Sequence, residues 1–173
     1  MSEYYDFDEV DAFTVGAVGQ PGSRVFFIQA RRGATRVTVK CEKQQAAAIA
    51  EHLRRILHDL PAPTEKPIAA AMQLAEPTTQ AFVLGPVGLG YDRSNDRVLV
   101  QLEEVIEIDE EGEPVVDLDG DDDDRSKLRV FITRHQAHAF CTHADEVVAA
   151  GRPACIWCTK PIDPDGHFCA RMN

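Results

Sequence analysis

Apolar residues follow two different periods in the first third of the chain. Two segments rich in β-branched and aromatic residues, FTVGAVG from Phe13 and RVFFIQA from Arg24, are separated by the turn signal QPGS. RVTVK, from Arg36, alternates apolar and polar residues as a half-buried strand does. From Glu42 onward the spacing becomes that of a helix with one apolar face. The residues of this face are Ala46, Ile49, Ala50, Leu53, Ile56, Leu57 and Leu60. The pattern predicts three strands followed by a helix.

The same order of patterns recurs later in the chain. FVLGPVG from Phe82 matches FTVGAVG, and RVLVQL from Arg97 matches RVFFIQ. LRVFITRHQAHAF from Leu128 aligns with VTVKCEKQQAAAI from Val37, a shift of 91 residues (128 against 37). The second helical face is Ala137, Phe140, Cys141, Ala144, Val147 and Val148. A capping box at Thr133 and Gln136 starts this helix, and Gly151 and Pro153 end it.

Self-similarity at this scale predicts a duplicated supersecondary unit. We expect an α+β domain over residues 1–153, built from two β-β-β-α repeats at about 12–60 and 80–150. A pseudo-two-fold relates the repeats, and both helices pack on a mostly antiparallel sheet. The linker from Pro61 to Pro77 contains a short helical turn between Ile68 and Leu74.

The negative charge of the chain is concentrated in one segment. The net charge is −11, and the stretch from Gln101 to Asp124 holds thirteen acids and no bases. We therefore predict an exposed acidic loop at about 109–124, with a docking strip for a basic partner as its functional alternative. An EF-hand is excluded because the run from Asp117 has Asp122 and Leu128 where Gly and Glu are required. The remaining sixteen acids and eighteen bases nearly balance, which disfavours a long nucleic-acid interface.

No segment predicts insertion into a membrane or secretion. No apolar run approaches the roughly 20 residues that span a bilayer, and the acidic start MSEYYDFDEVDAF lacks the features of a signal peptide. We expect a cytoplasmic protein, in which five cysteines are not a disulfide framework.

The last segment, residues 154–173 (the tail), carries the clearest chemical signal. Cys155 and Cys158 have the C-x₂-C spacing of a zinc knuckle, and His167 and Cys169 follow. Together they supply the Cys₃His set of a closed, structural Zn²⁺ site. Pro161, Pro164 and Gly166 favour a stiff loop between the two pairs. The tail is too short to build its own core, so a metal would supply its folding energy.

Two other interpretations of these cysteines stay open: a redox pair, or thiols without a ligand. A redox C-x₂-C opens a helix, whereas this pair follows the end of one. Cys41 and Cys141 are predicted as core residues. The three histidines of the second helix, His135, His138 and His143, are predicted as surface or half-buried side chains.

No catalytic constellation is identified in the sequence. There is no G-x-S-x-G, P-loop or strand-linked G-x-G-x-x-G motif. The glycines of GPVGLGYD, Gly85, Gly88 and Gly90, are interpreted as a turn that serves a hairpin.

The chain resembles an uncharacterised family that is common in actinobacteria and is catalogued as a domain of unknown function. The resemblance is carried by FTVGAVGQPG from Phe13, EKQQ from Glu42, VGLGYD from Val87, VFIT from Val130 and AGRPACIWCTKPIDPDGHFCARMN from Ala150. The last motif is the most specific, although Ile156-Trp157 stands where Pro-Leu is usual. The resemblance implies no activity.

These observations predict a zinc-containing cytosolic binding or adaptor protein whose partner is another protein. The first alternative is a hydrolase or transferase with its active site in the groove between the repeats. The second alternative is a nucleic-acid binder that uses the basic stretch from Arg24 to Arg55 and the tail.

Overall fold

The computed structural model describes residues 2–64, 69–107, 110–111, 124–151, 155–159, 162 and 166–171. The strands are β1 (Tyr4–Phe7), β2 (Ala12–Val18), β3 (Val25–Arg32), β4 (Thr35–Cys41), β5 (Phe82–Asp92), β6 (Arg97–Glu104) and β7 (Lys127–Ile132). The helices are α1 (Lys43–His58) and α2 (Arg134–Ala149), and a 3₁₀ turn spans Ala69–Met72. The predicted α+β class is confirmed, since the strands form a mostly antiparallel sheet on which two helices pack.

The strand order in the sheet is β1-β7-β6-β5-β4-β3-β2. Neighbouring strands are antiparallel except for two pairs, β4 with β5 and β1 with β7, which are parallel. After β1, the order strand-strand-strand-helix occurs twice. We call β2, β3, β4 and α1 the first unit, and β5, β6, β7 and α2 the second unit.

The sheet is strongly curved. Its two edge strands, β1 and β2, are separated in sequence by residues 8–11 alone. The five Cα steps from Phe7 to Ala12 reach at most about 18 Å, whereas a flat sheet of seven strands places its edges about 29 Å apart. The edges must therefore bend toward each other, and α2, which follows β7, packs against β2 at the far end of the strand order.

Each helix packs on the first strand of the other unit. Helix α1 packs on β5, the first strand of the second unit, and α2 packs on β2, the first strand of the first unit. The helices meet at equivalent positions: the Cys141 thiol donates to the Ala50 carbonyl at 3.3 Å, and Arg54 pairs with Asp145. Both pairs are 91 residues apart (141 − 50 and 145 − 54). The contacts between the helices therefore join residues that the sequence alignment places at matching positions.

The helical faces and caps follow the predicted pattern. The buried residues of α1 and α2 all belong to the predicted apolar faces. The side-chain oxygen of Gln45 accepts from the Glu42 N–H at 2.8 Å, and that of Gln136 accepts from the Thr133 N–H at 2.9 Å. The amide nitrogens of both glutamines then donate to carbonyls outside their own units, Gln45 to Leu84 at 3.1 Å and Gln136 to the chain before β2 at 2.8 Å. Each cap thus also joins the two halves.

The register of the central strands corrects the sequence alignment. Matching Arg24 with Arg97 pairs Val25 with Val98, yet Val25 is exposed and Val98 is fully buried. The core positions of β3 and β6 correspond one residue away, with Phe26 equivalent to Val98. Successive side chains of a strand point to opposite faces, so a slip of one residue exchanges core for surface.

The linker packs on β2 and β3 through buried polar side chains. Its 3₁₀ turn lies within the predicted helical turn. Thr14 donates to the Met72 carbonyl at 2.6 Å, and Gln29 exchanges two hydrogen bonds with the backbone of Ala75 at 2.8 and 3.0 Å. Thr14 and Gln29 are fully buried, and these bonds satisfy their polar atoms.

One strand is present that the sequence did not predict, and one predicted loop falls outside the described residues. Strand β1, which the sequence analysis left without a structure, pairs with β7 and is held there by Asp6, whose carboxylate accepts from Arg129 at 2.6 and 3.0 Å. The predicted acidic loop lies almost wholly outside the described residues.

Candidate metal centre

The tail leaves the domain at the end of α2. Arg24 donates to the Val147 carbonyl at 3.0 Å, and a Cβ at Gly151 would lie 2.3 Å from the Arg24 guanidinium. A larger residue at this position would require the flexible end of Arg24 to move, and the first turn of the tail begins at Cys155.

A tight turn builds the first half of the site. The Thr159 N–H donates to the Cys155 carbonyl at 2.8 Å, and Thr159 takes a left-handed φ of 61°. Inside the turn, the backbone N–H groups of Cys158 and Trp157 hydrogen-bond to the Cys155 sulfur and lower the pKa of this thiol to about 6. The turn thus favours a thiolate at Cys155 before any ion is considered.

The second half comes from the segment after Gly166, whose φ is 114°. It brings Nε2 of His167 to 3.1 Å from the Cys158 sulfur. Cys169 is buried, and this burial raises the pKa of its thiol, while the backbone N–H of Arg171 acts in the opposite direction.

The four predicted ligands converge. One ligand atom each from Cys155, Cys158, His167 and Cys169 lies within 4.8 Å of all the others. Sulfurs bound 2.3 Å from a tetrahedral zinc ion are about 3.8 Å apart, so small side-chain movements would complete such a site. We call these residues the Cys₃His group. It could hold a metal ion, and its thiol and imidazole donors suit a borderline-soft ion better than Mg²⁺ or Ca²⁺.

The other candidate ligands do not join a cluster of this kind within the described residues. Cys41 and Cys141 are buried in the core, as predicted, and burial raises their thiol pKa values to about 12 and about 11. Burial lowers the pKa of His138, while His143 lies 3.9 Å from Glu146. The run from Asp117 that failed the EF-hand test lies outside the described residues.

A groove lies between the two units, and the sequence analysis did not name the residues that line it. This α1–β5 groove has a volume of about 440 Å³. It is lined by Gln45, Ala48, Ile49 and His52 of α1 and by Gly85, Val87, Gly88 and Leu89 of β5. The interpretation of the glycine-rich segment as a turn is wrong, because Gly85, Gly88 and Gly90 lie inside β5 and none of them has a positive φ. The alignment of the two repeats could have indicated the groove, because Ile49 of α1 corresponds to the larger Phe140 of α2.

A second, more polar cleft lies beside the N-terminus of α2. It has a volume of about 400 Å³ and is lined in part by Asp96, Arg97 and Arg134. Arg134 donates to both carboxylate oxygens of Asp96 at 2.8 and 3.1 Å and holds the pKa of that carboxyl below its usual range. The Tyr91 hydroxyl donates to the same carboxylate at 2.5 Å. Asp96 is thus paired with Arg134 and Tyr91, and its contact with Arg134 connects the β5–β6 turn to α2.

Comparisons with known proteins place the chain in a family. No helix among the described residues is long and apolar enough to cross a membrane. Neither the curated proteins nor the solved structures contain a match to the chain. One family matches residues 5–169, and its description reads "Protein of unknown function (DUF3090)". This match covers the curved sheet, both helices and the Cys₃His group, so the chain belongs to the DUF3090 family.

Proposed function

We propose that this protein is a cytosolic protein-binding or adaptor module whose tail is folded around a structural Zn²⁺ ion. The observation that carries the proposal is the convergence of Cys155, Cys158, His167 and Cys169 within 4.8 Å. Four such ligands complete a tetrahedral shell and leave no open position for a substrate, which is the arrangement of structural zinc sites.

The surface of the tail supports a structural role for the metal. Ile156 and Phe168 are more than four-fifths exposed, at 86% and 82%, and Trp157 is 54% exposed. The large apolar side chains beside the ligands therefore face solvent and do not form a core. Coordination is the remaining source of folding free energy for the tail.

The residues that line the α1–β5 groove and the polar cleft support a binding role more than a catalytic one. Among the lining residues of the α1–β5 groove, Gln45 and His52 alone have polar side chains, and Gln45 is engaged by Leu84 and Glu42. In the polar cleft, Asp96 is neutralised by Arg134. The described lining of the α1–β5 groove therefore lacks the convergent acid, base and nucleophile that hydrolysis or group transfer needs. A net charge of −11 also disfavours nucleic acid as the partner.

The first test is the metal content of freshly purified protein, measured by inductively coupled plasma mass spectrometry. We expect one zinc per chain in the wild type and in Cys141→Ala, which removes a core cysteine outside the Cys₃His group, and none in Cys158→Ser. Wild-type protein without metal, with Cys155 and Cys158 oxidised to a disulfide, would replace the zinc hypothesis by thiol chemistry.

The second test addresses the adaptor role. Cross-linking in living cells followed by mass spectrometry should identify a reproducible protein partner, and purified partner should bind the zinc-loaded chain directly. Turnover of an ester, phosphate or acyl substrate by the purified protein, or binding of single-stranded RNA at low salt, would instead favour one of the two alternatives.

A further inference from the structure

The sequence alignment makes the α1–β5 contact equivalent to the α2–β2 contact, yet the two are filled differently. At α2–β2 the rings of Phe140 and Phe13 stack with centroids 4.9 Å apart. At α1–β5 the residue equivalent to Phe140 is Ile49 (140 − 49 = 91), and the space beside it remains open as the groove of about 440 Å³. The groove is therefore present at one of the two matching contacts and filled by aromatic rings at the other.

Strand β5 has a free edge along this groove. It is eleven residues long and pairs with β6 from Leu84 to Asp92. On its other side it pairs with β4 at Phe82 and Val83, after which β4 ends and the chain turns into α1. Within the described part of the chain, no backbone hydrogen bond reaches that side of β5 beyond Val83. The Gln45 side chain occupies the Leu84 carbonyl, and beyond it the edge offers N–H and C=O groups that pair with no backbone group of the described residues.

The shape of the edge supports this assignment. Val87 and Gly88 are exposed, and Gly88 and Gly90 place no side chain on either face of the strand. Pro86, which has no N–H to donate, lies at the bulge between Leu84 and Val87, and edges and bulges are where a sheet tolerates proline. Exposed edges of this kind pair with a further strand unless they are blocked.

The groove also defines the chemistry of its occupant. A row of unpaired backbone groups is complementary to another extended backbone, because only a strand presents donors and acceptors at the matching repeat. The wall of α1 presents Ala48 and Ile49, and the floor presents Val87 and Leu89. Alternate side chains of a bound strand would point into this space, where apolar groups gain most from burial.

We propose that the free edge of β5 binds an extended, apolar segment of a partner protein, which adds to the sheet as an extra strand beneath α1. The segment would lie beside β5 in the position that β4 no longer fills after Cys41. About five residues span Gly85 to Leu89 at roughly 3.3 Å per residue. This inference rests on the proposed function as a binding module and names its partner class, a β-strand-forming peptide.

The test uses two adjacent alanines of α1. Ala47 and Ala48 are both exposed, but Ala48 alone lines the groove. Ala48→Arg places a long charged side chain in the groove, and Ala47→Arg makes the same change on the neighbouring surface. Arginine is a good helix former, so both variants should keep the wild-type melting temperature.

The probe is a phage-displayed library of random heptapeptides, selected on immobilised zinc-loaded protein. We expect enriched peptides with apolar residues at alternate positions, at least tenfold weaker binding to Ala48→Arg, and unchanged binding to Ala47→Arg. N-methylation of every second backbone nitrogen should abolish binding in one of the two registers, because strand addition needs those N–H groups. A side-chain-only pocket would not respond in this way.

Three outcomes would overturn the inference. They are the absence of any enriched peptide sensitive to Ala48→Arg, equal binding after N-methylation in both registers, and a wild-type dimer in sedimentation that Ala48→Arg alone converts to monomer. The last would assign the edge to a second copy of this chain. If zinc and the cross-linked partner persist while Ala48→Arg binds that partner normally, the proposed function stands and only this surface is wrong.

Discussion

The domain and the tail are stabilised by different means within one chain. In the domain, apolar residues from all seven strands and both helices form one continuous buried core, which includes Phe13, Leu53, Leu102 and Phe140. In the tail, Cys155 and Cys169 are buried and the large apolar side chains Ile156, Trp157 and Phe168 are exposed. The domain depends on apolar area removed from water, whereas the tail brings together ligand atoms that could hold a metal ion.

This difference predicts that the two regions can be perturbed separately. Trp157 is the sole tryptophan, and it lies in the turn between Cys155 and Cys158. Its fluorescence therefore reports the tail, while far-ultraviolet circular dichroism reports the helices and strands of the domain.

The largest expected effect is that of metal removal. A zinc-specific chelator should shift the Trp157 emission to that of an unfolded peptide, because apparent zinc-binding free energies of roughly 10–16 kcal/mol are folding free energies in small sites. The circular dichroism spectrum should stay unchanged, and added zinc should restore the emission. Simultaneous loss of both signals would show that the tail and the domain fold as one unit.

Thiol labelling sharpens the same separation. At pH 7.5, iodoacetamide should modify the three tail cysteines of chelator-treated protein and leave Cys41 and Cys141 unmodified, since burial holds their thiol pKa values at about 12 and about 11. Intact-mass spectrometry counts the adducts. Zinc-loaded protein should take up none, and rapid labelling of Cys41 in folded protein would contradict the buried core.

The next effect is a core truncation. Phe140→Ala removes a fully buried ring that stacks on Phe13 and should lower the free energy of unfolding by about 3–5 kcal/mol. The matched control is Phe168→Ala in the tail, where the ring is 82% exposed, with an expected change within about 0.5 kcal/mol. Urea titrations followed by circular dichroism measure both. Zinc content should be unchanged in Phe140→Ala, and equal costs would mean that the tail packs on the domain.

A smaller effect is expected at the helix caps. Gln136→Ala removes the acceptor for the Thr133 N–H and the donor to the Val10 carbonyl, and should cost about 1–2 kcal/mol. Gln44→Ala, at an exposed position of α1, is the control and should be nearly neutral. The comparison uses the same urea titration. A neutral Gln136→Ala would show that the hydrogen bonds between the units contribute little to stability.

The smallest effect is expected at the helix crossing. Arg54 and Asp145 pair at equivalent positions, but their side chains are 44% and 65% exposed. Asp145→Asn should therefore change the free energy of unfolding by less than about 1 kcal/mol, and 0.5 M salt should reduce the difference. A larger cost would indicate that this pair, and not apolar packing, holds the two helices together.

Much of the fold was predictable because its signals are local. The apolar faces of α1 and α2, the capping box at Thr133 and the strand alternation around Val37 each need a few neighbouring residues. The Cys₃His group was predictable for the same reason, since its ligands lie within fifteen residues of chain (155 to 169). A short loop and a fixed C-x₂-C turn limit where such side chains can point.

Other features depended on contacts between distant residues. Strand β1 is short and acidic, and its extended form depends on pairing with β7 and on Arg129, 123 residues beyond Asp6. The equivalence of β3 and β6 was wrong by one residue, because similar apolar runs do not show which face meets the helices. The local sequence therefore indicated neither the partner of β1 nor which face of β3 and β6 meets the helices.

The sequence by itself determined the two helices, their order relative to six of the strands, and the candidate ligand group of the tail, since periodicity, capping and ligand spacing are properties of short segments. Only the tertiary structure decided how the sheet curves, where β4 stops alongside β5 and why a groove remains beneath α1. The physical reason is that pairing and packing depend on the neighbour that folding brings to each strand. Gly85 to Gly90 forms a strand because β6 pairs with it, and its other edge is open because β4 ends at Cys41.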